Sequence, residues 1–256
     1  MATEAPLPRW FIDLLAHRRW IRRARPFPHV YVRDVFVDGF YRRLAEEFER
    51  VHRGQNLFAP VADGYSATGV RLTEVRDGPL EVFLSRAWHD LIERVAGVRA
   101  SGDVEGSLHH HEAGSPRGRP HHDLAPAWFP GSPPEPGAIG LPDSAIDLRT
   151  GARPAGTAAR PMVRAVAVLF YLNNPEWRPG DGGETGLFSD LGDGAPAPAL
   201  SVPPLNNSMV VFECTPRSWH TFLGANSAAR NSVVMWLHRP EEEAVRRWGG
   251  DHIAVW

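Results

Sequence analysis

The sequence predicts a mainly β fold with flanking α-helices, arranged as a barrel or double-sheet jelly roll. From Val104 onward, β-like runs follow one another closely: GSLHHHEAG, RPHHDLA, VRAVAVLFYLN, GETGLFSD, SMVVFEC, SWHTFLG and RNSVVMWLHR. Gly, Pro and Asn punctuate them and no helical stretch intervenes, which argues against βαβ units. Ahead of these runs lie helical patterns able to cover one outer face of a sheet.

Taken in order, residues from about Leu7 to Arg25 read as a helix. Trp10, Phe11, Leu14 and Leu15 recur near a helical period, Arg18, Arg22 and Arg25 lie opposite, and Pro26 and Pro28 end it. Such an Arg stripe is usually a solvated face and otherwise a dock for an acidic partner. HVYVRDVF (His29 to Phe36) has the β-branched and aromatic content of a strand. Asp38 is placed to cap the next helix, in which Phe40, Leu44, Phe48 and Val51 share a face. A second amphipathic helix is expected from Leu80 to Val95. One segment breaks the pattern: between Ala127 and Met162 the chain is rich in Pro and Gly and too long for a routine connection. Such loops are lids or disordered linkers; a lid is preferred here, because the segment leaves directly from the HHD run. The expectation is a single domain, 1–256. Residues 1–103 form a supporting region, 104–239 a core carrying the insertion 127–162, and 240–256 a tail.

The bulk properties narrow the function. At 256 residues, 43% hydrophobic and 23% charged, the chain can fill a substantial core. A formal net charge of -2 gives no reason to expect a nucleic-acid partner. No apolar run approaches the roughly 20 residues that span a bilayer. The first residues lack a signal-peptide pattern, and the single cysteine, Cys214, cannot form an internal disulfide. A soluble cytoplasmic protein is the expectation; oligomeric state is not legible.

The chemistry concentrates at His121-His122-Asp123. On an extended strand, side chains two apart point to one face, so His121 and Asp123 converge while His122 points away. Imidazole and carboxylate with a second His make the facial triad of non-haem iron(II), which leaves coordination positions open. With 12 histidines in the chain, HxD alone is a weak signal. His220, in the strand-like SWHTFLG, is the best partner. His109 and His111 share one face of their own strand; the bland reading for each is a polar residue in a half-buried sheet. Trp128, Trp177 and Trp219 could line a substrate pocket, although Trp more often packs, and Glu184 reads as structural in its turn.

The run from His109 to Arg239 resembles the prolyl-4-hydroxylase-like branch of the 2-oxoglutarate and iron(II)-dependent oxygenases. Pro120-His121-His122-Asp123 matches the family's HxD strand. Tyr171-Leu172-Asn173 with Gly182-Gly183-Glu184-Thr185 resembles its YLN and GGET landmarks. His220 takes the distal-ligand position, and Arg230-Asn231-Ser232 stands where the family grips its cosubstrate. The resemblance implies a double-stranded β-helix with N-terminal helices on the outer sheet face. It implies Fe(II) held by His121, Asp123 and His220, with 2-oxoglutarate and O2 as cosubstrates and ascorbate as a candidate reductant. By family position Tyr171 bonds the far carboxylate of 2-oxoglutarate. His111, in His-Glu-Ala-Gly, stands where the family has Tyr-x-x-Gly, and that departure leaves its contact with cosubstrate open. Physics supports Arg230 independently: a buried carboxylate needs a cation, and a guanidinium matches two carboxylate oxygens, with the Ser232 hydroxyl able to add a bond.

The implied reaction is hydroxylation of an unactivated C–H bond with release of succinate and CO2. Related halogenases have a small residue at the carboxylate position, so Asp123 favours hydroxylation; desaturation, epoxidation and cyclisation use the same oxidant. A small-molecule substrate, amino acid or natural-product intermediate, is preferred because a lid could enclose one; a protein prolyl target is the alternative. Two other classes compete. A cupin-like metalloenzyme using its ion as a Lewis acid explains the triad and leaves Arg230 idle, and a non-catalytic sheet-rich binding protein explains neither.

Overall fold

A computed structural model describes residues 6–54, 57–191 and 197–254. Met1 to Ala5, part of the stretch read for a signal peptide, and the last two residues of the expected tail lie outside them. Among the described residues the strands are β1 (Arg22–Arg23), β2 (His29–Val32), β3 (Ala59–Pro60), β4 (Ala67–Arg71), β5 (Val104–His111), β6 (Pro126–Pro130), β7 (Ala159–Tyr171), β8 (Thr185–Leu187), β9 (Leu200–Val202), β10 (Ser208–Glu213), β11 (His220–Phe222) and β12 (Arg230–Pro240). The helices are α1 (Arg9–Ile12), α2 (Asp38–Arg53), α3 (Arg86–Ala96) and α4 (Glu241–Trp248).

The named strands pair antiparallel. A large sheet runs β1-β2-β10-β7-β12-β5-β4-β3, with β6 on the first part of β7; a small sheet runs β11-β8-β9. This is the mainly β, jelly-roll architecture the strand pattern predicts. β7 shows why its sequence is a nearly continuous apolar run, since both its faces are covered. Val166, Val168 and Phe170 point outward into a core built with Phe36, Leu44, Phe48, Trp88 and Ile92 from the helical region. Ala167, Leu169 and Tyr171 point inward, toward Leu187 and Val202 of the small sheet. Fully burying one such Phe contributes about 1.5–3 kcal/mol. The outer layer is also ordered by rings: Trp88 stacks on Phe36 at 5.5 Å, and its indole N–H points at Met235 Sδ, 3.0 Å away.

Several local expectations are corrected. The helix expected over Leu7 to Arg25 is a single turn, because the backbone finds long-range partners instead. Ala16 N donates to Val35 O, and Val37 N donates to Leu14 O. Arg22 and Arg23 then pair with β2, so no Arg stripe exists. Asp38 is the first residue of α2 and makes no capping bond; its charge favours the helix N-terminus instead. The helix expected over Leu80 to Val95 is two pieces, a 3₁₀ segment Pro79–Leu84 and α3. They break at Ser85, whose hydroxyl caps α3 by accepting from Trp88 N. The expected tail contains α4, with Glu241, Glu242 and Glu243 in its first turn and Arg246 and Arg247 in its last, charges that suit the helix dipole. β3 and β4, which extend the large sheet beyond β5, were not anticipated. No helix among the described residues is long and apolar enough to cross a membrane.

Candidate metal centre

The HHD motif sits on one β-bridge, not on a strand. His121 N donates to His220 O (2.9 Å) and His220 N donates to His121 O (2.8 Å). That pair ties the motif to the first residue of β11, so residues almost a hundred positions apart in sequence become neighbours. One donor atom each from His121, Asp123 and His220 lies within 4.8 Å of the others. His121 Nε2 is 3.9 Å from Asp123 Oδ1, and His220 Nε2 is 3.4 Å from Asp123 Oδ2.

Hydrogen bonding on the far side of each ring fixes what faces inward. His121 Nδ1 lies 2.8 Å from Arg119 O and His220 Nδ1 lies 3.0 Å from Ser218 O. A carbonyl only accepts, so each Nδ1 carries the proton and each Nε2 presents a lone pair toward Asp123. Burial, reinforced by His220, lowers the His121 pKa to about 3 and keeps that ring neutral. Burial of Asp123 opposes its ionisation, yet its basic surroundings, which include the Arg164 guanidinium, outweigh it and hold the carboxyl below the usual range. Two imidazole nitrogens and a carboxylate converging on one point are the donor set of a divalent cation, and these residues fit Fe(II).

Behind Asp123 stands a support that the sequence did not reveal. The Trp236 indole donates to Asp123 Oδ2 (2.7 Å), and Arg164 Nη1 lies 3.7 Å from Oδ1. Arg164 also lies over the Trp236 ring at 3.6 Å and donates to Glu105 (3.2 and 3.3 Å). Trp236 shares the inward face of β12 with Arg230, Ser232 and Val234, so continued alternation could have found it. Arg164 could not be found that way. The register shifts at Leu237/His238, where Leu237 pairs Val166 and His238 pairs Arg164. The bulge reverses the parity, and Arg164 turns inward although Tyr171 counts from the other phase.

Farther along the same face, Arg230 is 3% exposed. Its Nη2 donates to Thr185 Oγ1 (3.0 Å), and Nη1 lies 3.4 Å from Ser232 Oγ. The Tyr171 hydroxyl donates to the same Thr185 oxygen (2.8 Å), and the guanidinium lies 5.1 Å from the Tyr171 ring and 5.3 Å from Phe222. Gly182 and Gly183 both have positive φ, which lets the chain turn sharply into β8 and present Thr185. Among the described residues no carboxylate pairs with Arg230, so the site holds a buried cation without its anion.

His111 pairs across from Arg230, but its ring nitrogens face Ser66 Oγ (3.2 Å) and the Tyr65 hydroxyl (3.4 Å), and the ring stacks on Phe222 at 4.0 Å. Burial and then Arg230 lower its pKa to about 2. Tyr65, on the connection leading into β4, gave no sequence signal, and Thr185 was read only as part of a turn. Of the three tryptophans, Trp177 donates to Gly182 O, Trp219 packs on His122, and Trp128 lies under Arg153.

Jelly-roll sheets enclosing a His-Asp-His cluster beside a buried arginine define the class of non-haem iron oxygenases. Residues 108–238 match the 2OG-Fe(II) oxygenase superfamily. The prolyl 3,4-dihydroxylase OGFOD1 of Ostreococcus tauri is 33% identical over an alignment of 90 residues that covers 32% of this chain and 18% of that protein. A prolyl-4-hydroxylase from Pseudomonas putida superposes with a TM-score of 0.53 at 19% identity, covering 82% of this chain and 92% of that one. A Trichoplax adhaerens prolyl hydroxylase in complex with a hypoxia-inducible-factor peptide fragment gives 0.55 at 15% identity, covering 85% and 86%. At such identities these structures share the fold. The family match covers more than half of the chain, which belongs to the 2OG-Fe(II) oxygenase superfamily, and the chain spans less than a fifth of the curated relative it matches.

Proposed function

We propose that His121, Asp123 and His220 hold the iron and that Arg230, aided by Ser232, Thr185 and Tyr171, receives the far carboxylate of 2-oxoglutarate. The enzyme then hydroxylates an unactivated C–H bond of a small molecule, an amino acid or natural-product intermediate, and releases succinate and CO2. The buried, unpaired Arg230 carries this reading. A guanidinium removed from water without an anion costs several kcal/mol, and a dicarboxylate supplies the missing partner. Bound iron supplies the centre at which O2 is activated against the keto acid. The chain's own residues orient and seclude. The carbonyls of Arg119 and Ser218 hold each Nε2 toward the centre, and Trp236 and Arg164 fix the Asp123 carboxylate. The Arg230 cluster sets the cosubstrate's reach, while Phe222 and Leu187 exclude water.

A cavity of about 440 Å³ supports the small-molecule choice. It lies between β4, β5 and the segment joining β6 to β7, lined by Arg71, Glu105, Ser107, Asp147, Leu148 and Arg149. The metal-centre residues do not line it. Its inner wall is one hydrogen bond away: Glu105 accepts from Arg164, and Ser107 Oγ lies 2.9 Å from His109 Nε2. The joining segment is held by Asp147, which accepts from Thr150 N (2.7 Å), Thr150 Oγ1 (2.8 Å) and Arg149 N (3.1 Å), and it serves as the lid. Prolyl hydroxylation of a peptide is the second reading, favoured by the names of the relatives. A panel of amino acids, small metabolites and proline-containing peptides, scored by succinate release and by the gain of one oxygen atom in mass spectrometry, separates them. Small-molecule products are expected; turnover of peptides alone would reject the first reading.

A further inference from the structure

His109 is a buried side chain in this barrel that the assigned roles leave unused. It stands on the inward face of β5, 4% exposed, and pairs with Ser232, whereas His111 pairs with Arg230. It is therefore one step along that face from Arg230 toward Trp236, which holds Asp123. Its electrostatic neighbours are Arg230, Arg164 and Asp123, so the ring lies between the two ends of the site. One edge of the ring is pinned. Nε2 meets Ser107 Oγ at 2.9 Å, and Cδ2 lies against Gly69 of β4, where a Cβ would come within 3.3 Å. The opposite edge carries Nδ1, which is buried and has no hydrogen-bond partner. A buried, unpaired ring nitrogen is costly unless a ligand completes it.

We infer that His109 Nδ1–H donates a hydrogen bond to the 2-oxo acid end of bound 2-oxoglutarate, with the Ser107 hydroxyl donating to Nε2 and so holding the required tautomer. The inference rests on the cosubstrate placement given under Proposed function. The far carboxylate already has Arg230, Thr185, Tyr171 and Ser232, which leaves the end nearer the metal for His109. Burial, with Arg230 and Arg164 nearby, lowers the ring's pKa to about 3, so it acts as a neutral donor and adds no charge.

The test uses side-chain geometry. An Asn amide sits where Nδ1 does, whereas a Gln amide sits where Nε2 does. The full-length protein is loaded anaerobically with Fe(II) and titrated with 2-oxoglutarate, followed by its visible charge-transfer band and by calorimetry. His109→Leu and His109→Gln are expected to weaken binding about tenfold, while His109→Asn stays within about threefold of the wild type. The same losses are expected with 2-oxopentanoate, which keeps the 2-oxo acid and lacks the far carboxylate; Arg230→Ala should have no effect on that ligand. Unchanged affinity in all three His109 variants, or equal losses in Asn and Gln, overturns the inference. If those variants do not fold, Ser107→Ala takes their place, with about a threefold loss expected and no loss overturning it. A wild-type protein that binds Fe(II) but not 2-oxoglutarate would instead overturn the cosubstrate placement itself.

Discussion

Around Arg230 the polar side chains come from three strands: Thr185 from β8, Ser232 from β12 and Tyr171, bonded to Thr185, from β7. In the cavity by β4, Arg71 and Arg149 project from a strand end and a loop, and neither forms an ion pair among the described residues. The Arg230 cluster is thus assembled by strand register. The cavity is assembled from strands β3, β4 and β5 together with the loop around Asp147. On the proposed reading, cosubstrate binding and substrate choice sit on different parts of the chain, which is how one fold can serve many substrates.

Substitutions can break that contrast. The largest effect is expected from Asp123→Ala and His220→Ala, each losing at least about a hundredfold of succinate formation, with or without a prime substrate. Untouched succinate formation would refute the ligand assignment. Arg230→Ala comes next. It should weaken 2-oxoglutarate binding about a hundredfold and leave Fe(II) affinity alone, as titration of each ligand separately would report. At the cavity, Arg71→Ala and Arg149→Ala should leave cosubstrate binding unchanged and raise KM for an anionic substrate about tenfold. Equal losses of cosubstrate affinity would mean that the two regions are one site.

The smallest effect concerns pH. His109, His111 and His238 have folded pKa values lowered to about 3, 2 and 4, chiefly by burial, against an unfolded value of about 6.5. Below about pH 6.5 the unfolded chain binds protons that the folded chain refuses, so stability falls with acidification. At pH 5.5 each group is expected to remove about 1 kcal/mol, seen as a lower Tm of the metal-free protein than at pH 7.5. A flat Tm across that range would show that these rings are more hydrated than their burial implies.

What was legible follows the same division. Alternation pointed to His121 and Asp123, the strand-like run around it to His220, and the resemblance to a family's ordered motifs to Arg230, Ser232 and Tyr171. Trp236 was within reach of that rule. Arg164 was hidden by the bulge that reverses parity, and Tyr65 by its place on an irregular connection. At the N-terminus a helical period misled, because backbone bonds from Ala16 and Val37 tie the first segment to the chain around Val35. Local periodicity says nothing of such distant competitors.

The central claim is that the His-Asp-His cluster and Arg230 together bind a ferrous ion and a keto dicarboxylate. Anaerobic titration of the purified protein with Fe(II) and 2-oxoglutarate tests it most directly. The account predicts a weak visible charge-transfer band that requires both additions and is lost in Asp123→Ala. A band that never forms, or one that persists in that variant, would contradict it.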